Sequence, residues 1–499
     1  MTAIERMLIP LFERLLARPR SAKSNASPGA GRLQIGEASA LTDCRVIEPF
    51  AIELSDLQRH AVSLGSSGGG KTSLIFVFLV NLLMHGYGGL MVDIHDAVPK
   101  FLSLAARLVT TGVLPKRVLS RILVVSFDDQ APLVRFNPLA KVTWAKPHRV
   151  GQHMELMLRR QWPEATWGAP SSELIANTFC LMAEHGLPLT MTEPLLRNPA
   201  LLHHHCQTVR NEACRNYFLN RWLHLSDAMR DFYTQVFLPR LSTFLADPKL
   251  RVMFGSNTSD LDLFQCLNDR MLVLFDLNKG ILGRDAELVA SIILAVEQQA
   301  AFARLPIPEP ERHLSTLIID EFNALAGVHE IIAPALNEFR KLKIPVLLSG
   351  QSLTGMDRAM RSTILTNCAV RCCFRMDAEN LKTVTAELQG EERELLRSRI
   401  ARLGVGEAMV FVGGKPARQV SVDYLPIPEK LSRIEEQMVR QMYRNVGGVT
   451  WPPASSDEHS SFGEPPKSEP PKVNELPASD ADPDRGNHDL PPGYREGGF

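Results

Sequence analysis

The eight residues Gly65 to Thr72, Gly-Ser-Ser-Gly-Gly-Gly-Lys-Thr, keep the G-x-x-x-x-G-K-[ST] spacing and stand where the apolar run Ala61-Val62-Ser63-Leu64 gives way to a long helical pattern. Small residues at Gly65, Ser66, Ser67, Gly68, Gly69 and Gly70 let successive backbone N–H groups turn inward around phosphate oxygens. The helix that follows points the positive end of its dipole at the same place. In such a loop Lys71 reaches the β- and γ-phosphates of a nucleoside triphosphate, Thr72 offers its hydroxyl to Mg2+, and Ser73 completes the set of binding residues. A Gly/Ser-rich strand-to-helix turn without a ligand is the blander reading. The coincidence of strand, loop, Lys-Thr and helix weighs against it.

A matching half-site lies downstream. The apolar segment Leu314 to Ile319 ends in Asp320-Glu321, a Walker B pattern that would set two carboxylates at the carboxyl edge of a parallel sheet, where ligands bind. Asp320 suits the Mg2+ ion, and Glu321 suits the orientation and polarisation of an attacking water. An apolar strand ending in two acids is common by itself; the loop upstream gives it meaning. Hydrolysis is favoured over kinase chemistry because Glu321 adjoins the metal ligand and no acceptor-substrate motif is visible. A further apolar strand, Ile344 to Gly350, ends at Gln351, whose amide can donate to a phosphate oxygen or orient water. The string Leu-Ser-Gly-Gln also resembles a transporter signature, but that signature precedes Walker B and this one follows it.

In the order of its motifs the chain resembles the HerA/FtsK superfamily of hexameric ATPases, in particular the soluble part of conjugative DNA-transfer coupling proteins of type IV secretion systems. The matching strings are Arg59-His60, Phe136-Asn-Pro-Leu139, Leu272-Val-Leu-Phe-Asp-Leu-Asn-Lys-Gly280, Asp320-Glu-Phe322, Glu338-Phe-Arg-Lys341, Gln351, and Ile364 to Arg375 followed by Asp377-Ala-Glu379. They cover roughly residues 50 to 425. The resemblance implies a RecA-like α/β P-loop fold with a mostly parallel central sheet, ATP and Mg2+ as cofactors, and a homo-hexamer that translocates DNA. In that family nucleotide sits between subunits, and Arg340 best matches the arginine that reaches a neighbour's γ-phosphate; Arg375 is the second candidate, and an intrachain ion pair is the bland alternative for either. The implied partners are a relaxase and secretion-channel components, or a nuclease if the protein is a HerA-like motor in repair or defence. An ATPase or substrate receptor for protein translocation is a third reading.

The apolar content, 45%, is ordinary for a large globular protein of 499 residues. Eight cysteines without C-x-x-C spacing argue for a reducing, cytoplasmic setting, with peripheral attachment at the inner membrane left open. His203-His204-His205-Cys206 invites a metal reading, yet consecutive helical residues splay around the axis. Cys372 and Cys373, adjacent in an expected strand, should face opposite sides. The longest apolar stretch, Leu74 to Met84, is too short for a bilayer, so no transmembrane span is expected. Met1 to Ala17 is amphipathic but interrupted by Pro10, suited to packing on its own chain, on a partner or on a membrane surface. Coupling proteins commonly carry N-terminal transmembrane helices and HerA proteins a small β-barrel; the first fifty residues offer room for neither.

The expected organisation is a helix and basic linker over 1–35, a first part of the ATPase domain over 36–144, an inserted all-α domain over 145–265 that holds Trp162, Trp167 and Trp222, a second ATPase part over 266–445, and a disordered acidic, proline-rich tail over 446–499. The formal net charge is zero, but residues 452–499 hold ten acids and four bases, so the rest carries +6. That excess is compatible with a basic DNA-binding pore and too small to establish one.

Overall fold

Strands in this chain read as continuous apolar runs, which is what burial on both faces of a parallel sheet demands. The computed structural model describes residues 31–40, 47–129, 131–162, 167–325, 329–385 and 390–450. The expected N-terminal helix, and all but the first five residues of the expected tail, lie outside these. The strands are β1 (Arg32–Ala40), β2 (Ile47–Glu53), β3 (Ala61–Leu64), β4 (Gly88–Asp93), β5 (Ile122–Ser126), β6 (Leu272–Asp276), β7 (Ser315–Ile319), β8 (Val346–Gly350), β9 (Val370–Cys373), β10 (Glu407–Val412) and β11 (Arg418–Val422). They form one sheet in the order β2-β1-β11-β10-β9-β3-β8-β7-β4-β6-β5.

From β9 to β5 all pairings are parallel. From β9 outward through β10, β11, β1 and β2 they are antiparallel. The sheet is thus mostly parallel and RecA-like, as the motif order implies, with an antiparallel extension that the motifs do not announce. β1 corrects the expected linker over 1–35, because it begins at Arg32. Leu33 and Ile35 are fully buried between polar neighbours, a strand period of two that a count of basic residues conceals. Arg32 pairs in register with Glu53 of β2 and forms an ion pair with it at 2.6 Å.

Side chains alternate along each strand between two cores. On one face Ile318, Leu272 and Leu274 meet the Lys71–His85 and Ala97–Thr110 helices together with Met442 of the Arg433–Arg444 helix. On the other, Leu317, Ile319, Val273 and Phe275 meet the Asp285–Phe302 helix and the helical segment that runs from Pro147 to Asn268. Cys372 and Cys373 divide between the two cores, as their adjacency in a strand requires. The segment Phe136-Asn-Pro-Leu139 is a joint between sheet and helices. Phe136 meets Phe275 edge-on with 6.3 Å between ring centres, and the Asn137 amide donates to Gly186 O at 3.0 Å.

The tail was expected to begin at residue 446, yet Val449 is part of the folded body. Its backbone exchanges two hydrogen bonds with Leu133, at 2.8 and 2.9 Å. A chain ending at Pro452 should therefore melt with the full-length protein, because the acidic, proline-rich remainder has little apolar surface to bury. A chain ending at Gly448 should lose roughly 1–3 kcal/mol, since each of those bonds contributes about 0.5–1.5 kcal/mol net. Calorimetry of the two shortened chains checks this; identical melting would deny the Leu133–Val449 pair any role.

Candidate phosphate-binding site

Two neighbours fix the loop after β3. Gly65 N donates to Gly350 O at the end of β8 (3.3 Å), and Ser66 N donates to Arg375 O just past β9 (2.9 Å). Gly70 caps the Lys71–His85 helix with φ of 116°, a left-handed conformation, and a Cβ there would come within 2.9 Å of Gly406 Cα and 3.0 Å of the Phe374 ring. Both the backbone angle and the crowding require glycine. Gly406 N in turn donates to Gly69 O at 2.9 Å, so the turn before β10 braces the loop from its other side. Ser66, Ser67 and Gly68 at the apex are exposed, as is Thr72 on the first helical turn, while Ser73 is half-buried.

Lys71 is buried, and its ammonium donates to Gly65 O at 2.8 Å and Ser66 O at 3.2 Å. Burial lowers its pKa from the ordinary lysine value, and the carboxylates of Glu321 and Asp320 partly oppose that shift. Those carboxylates stand where β7 ends. Asp320 is buried and its N–H donates to Val92 O of β4 at 3.1 Å. Glu321, with φ 50° and ψ 46°, is a non-glycine residue in the left-handed region, a conformation that concentrates where a site dictates the backbone. The turn Phe322–Ala324 follows, and its Asn323 side chain and Phe322 ring press so closely on Gly350 that any Cβ there would collide with them. Gln351, next along, donates from Nε2 to Glu321 Oε1 at 3.4 Å.

Because β8 lies between β3 and β7, the loop, Gln351 and Asp320-Glu321 share one edge of the sheet. Arg340 does not. It lies in the turn Phe339–Leu342 before β8, at the amino edge, about 15 Å from Gln351 along a five-residue strand. Arg340 is exposed and makes no ion pair among the described residues. Near it His60, buried, accepts a hydrogen bond at Nδ1 from Val346 N at 3.0 Å; burial first, and the Arg340 charge after it, lower its pKa to about 4. Arg375 is exposed at the carboxyl edge, beside the loop of its own chain.

The carboxyl edge also gathers acids that sequence reading did not assign to the site. β4 ends in Asp93 and β6 in Asp276, as β7 runs into Asp320, and the repeated ending of an apolar run in aspartate was the available signal. Asp93 accepts His95 N at 2.9 Å and Val98 N at 2.8 Å, the latter in the first turn of the helix that follows. Burial raises its pKa despite these bonds, and repulsion from Asp320 adds to the rise. Asp276 accepts Ser126 Oγ at 2.8 Å, while its Oδ1 is buried without a partner. The histidine run forms ring contacts, with His185 and His205 4.9 Å apart, and no group of three His, Cys, Asp or Glu among the described residues is arranged to hold a metal.

Burial, ahead of like-charge repulsion from Asp93 and Asp128, pushes the Asp276 carboxyl up to about 6. The native chain thus holds a proton there between pH ~4 and ~6 that the unfolded chain has released, so this group's contribution to stability is present below about pH 4 and is lost as pH rises through 6. Asp276→Asn, which keeps an oxygen for Ser126, should leave stability unchanged near pH 4 and raise it at pH 8 by up to about 2 kcal/mol. Melting curves of both proteins across that range test the sign; an equal effect at both ends would contradict it.

The chain matches no protein-family profile and no curated protein sequence. Solved structures do match. Plasmid coupling protein TrwB, in complex with the non-hydrolysable GTP analogue GDPNP, aligns over 83% of this chain and 99% of its own at 16% identity with a TM-score of 0.50. The unbound monoclinic form of the conjugative coupling protein TrwB lacking its N-terminal 70 residues aligns over 82% and 97% at 14% identity, also with a TM-score of 0.50. VirB4 of Thermoanaerobacter pseudethanolicus aligns over 83% and 99% at 11% identity, again with 0.50. No described helix is long and apolar enough to cross a membrane. Motif order and three-dimensional likeness agree on the fold: this chain has a RecA-like P-loop fold, similar to that of the plasmid coupling protein TrwB and of VirB4.

Proposed function

We propose that this protein is an ATPase that assembles as a ring and couples hydrolysis to movement of DNA in conjugative or mobile-element transfer. The observation that carries the chemistry is the placement of Lys71, Asp320, Glu321 and Gln351 on one edge through three adjacent strands. The exposed loop apex receives the phosphates, with Lys71 transferring its ammonium from the two loop carbonyls to the β- and γ-phosphate oxygens. Thr72 and Asp320 offer hard oxygen donors, a set that suits Mg2+, which when bound neutralises phosphate charge. Glu321 accepts a proton from the attacking water, and Gln351, already directed at Glu321, orients that water against the γ-phosphate.

A ring is favoured by the position of Arg340. An exposed guanidinium at the edge opposite its own phosphate loop cannot serve that loop, but it can complete the site of an adjacent copy. DNA as the moved substrate is favoured by likeness to a plasmid coupling protein. The likeness to VirB4 supports the second reading, an ATPase of a protein-secretion apparatus. A HerA-like motor with a nuclease partner fits the same fold. Hydrolysis that rises when DNA is added separates the DNA motors from the secretion reading.

Lys71→Ala should abolish nucleotide binding, whereas Glu321→Gln should keep nucleotide bound and lower kcat by about 100-fold or more, because only the second leaves the phosphate cradle intact. Equilibrium binding of a fluorescent nucleotide together with steady-state hydrolysis distinguishes the two; brisk turnover by Glu321→Gln would remove that residue as the general base. In a second experiment, Arg340→Ala and Glu321→Gln subunits, each inactive alone, are mixed in equal amounts. Hydrolysis should recover at the junctions that combine an intact Glu321 with a neighbour's intact Arg340, roughly a quarter of sites in a randomly mixed ring. Mixed rings that form normally and stay inactive would return Arg340 to a local structural role.

A further inference from the structure

A run of hydrogen bonds links the loops at the phosphate edge and uses residues to which the hydrolytic chemistry assigns no part. Asn323, two residues past Glu321, donates from its side chain to Ser352 O, next to Gln351. Ser352 Oγ lies 2.6 Å from Asn380 Oδ1 and 2.6 Å from Thr354 Oγ1, and it accepts Thr354 N at 2.8 Å. Asn380, only 7% exposed, donates from Nδ2 to Asp377 Oδ2 at 2.6 Å, and its backbone N–H and that of Glu379 both bond Asp377 Oδ1 at 2.9 Å. Two residues before Asp377, the Arg375 carbonyl holds Ser66 N of the phosphate loop. The circuit therefore visits the Walker B turn, the loop after β8, the segment after β9 and the phosphate loop.

The direction of each bond is forced. An ionised Asp377 can only accept, so the Asn380 amide nitrogen must face it and the Asn380 oxygen must face Ser352. The Ser352 hydroxyl must then donate to Asn380, and its lone pairs are left for the N–H and O–H of Thr354. Hydrogen bonds from Asn380 and Glu379 hold the Asp377 carboxyl below the usual range, which keeps it ionised and the order of the circuit set.

We propose that Asn380 and Ser352 are positioning residues that hold Gln351 against Glu321 and tie both to the Arg375 segment, so that the water-orienting groups and the phosphate loop keep one mutual geometry through the catalytic cycle. The proposal rests on the hydrolytic reading of this edge. In this role neither residue acts on the phosphates or on the attacking water directly. Their loss disturbs placement of the attacking water rather than grip on nucleotide, which Lys71 and the loop supply independently.

The test uses the full-length chain with ATP, Mg2+ and a fluorescent ADP analogue. Asn380→Ala and Ser352→Ala should lower kcat by about tenfold or more while KM and analogue affinity stay within about threefold, and Ser352→Thr, which keeps the hydroxyl, should retain at least about half of kcat. Asn380→Asp sets a second carboxylate against Asp377, so its kcat should recover toward acid pH, where the pair can share a proton, and fall as pH rises relative to wild type. The partly exposed Ser352 is a mild site, and Ser352→Ala should melt with wild type, which keeps the test open should the Asn380 variants unfold. Wild-type kcat in both alanine variants, or parallel pH profiles for Asn380→Asp and wild type, would overturn the proposal. A wild-type protein that does not hydrolyse ATP would instead overturn the hydrolytic reading itself.

Discussion

Lys71 is a buried ammonium whose two direct partners are backbone carbonyls, dipoles without a full charge. Removing a cation from water is costly unless opposite charge stands near, and Asp320 and Glu321 supply part of it from a strand two positions away. That requirement organises the edge. The carboxylates must end a strand close to the end of β3, so β8 has to be narrow where it passes between them. Gly350 meets that need, since the Walker B turn crosses it with no space for a Cβ. Phosphate oxygens would complete the balance, and the exposed apex of the loop is where they can arrive.

The edge is polarised along its length. At β3 it presents a cation and backbone N–H groups, and at β7, β4 and β6 it presents Asp320, Asp93 and Asp276. Like charges held this close are tolerable only where each has help. Asp93 receives two backbone N–H groups, Asp276 a serine hydroxyl and an affinity for its proton, and Asp320 the Glu321 N–H at 3.1 Å. The opposite edge is governed by burial instead. There His60 stays neutral and joins the starts of β3 and β8, leaving Arg340 charged and exposed beside it. Between the edges, apolar strands carry a core on each face, and the helical segment from Pro147 to Asn268 shares one of them. Asn137, in the connection after β5, adds a polar tie to that segment by donating to Gly186 O.

From the sequence alone, the elements and their chemistry were determined wherever a local rule suffices. A Gly-rich loop between an apolar strand and a helix specifies its own backbone, because only glycine accepts the angle at Gly70, and a strand buried on both faces announces itself by unbroken Val, Ile and Leu, as at β7. The adjacent Cys372 and Cys373 had to separate because a strand repeats every two residues. Strand order was not determined, since pairing depends on which apolar surfaces meet across hundreds of residues, and nothing local tells β8 to lie between β3 and β7. That order placed Gln351 beside Glu321, while the shared direction of β8 and β9 sent Arg340, which precedes the one, and Arg375, which follows the other, to opposite edges. The same holds for β1, whose alternation is hidden among basic residues, for Val449, whose place depends on Leu133, and for the Asn323–Ser352–Asn380 circuit. Its members are ordinary polar residues in sequence, and they acquire defined partners only where folding brings three separate loops within hydrogen-bonding reach of one another.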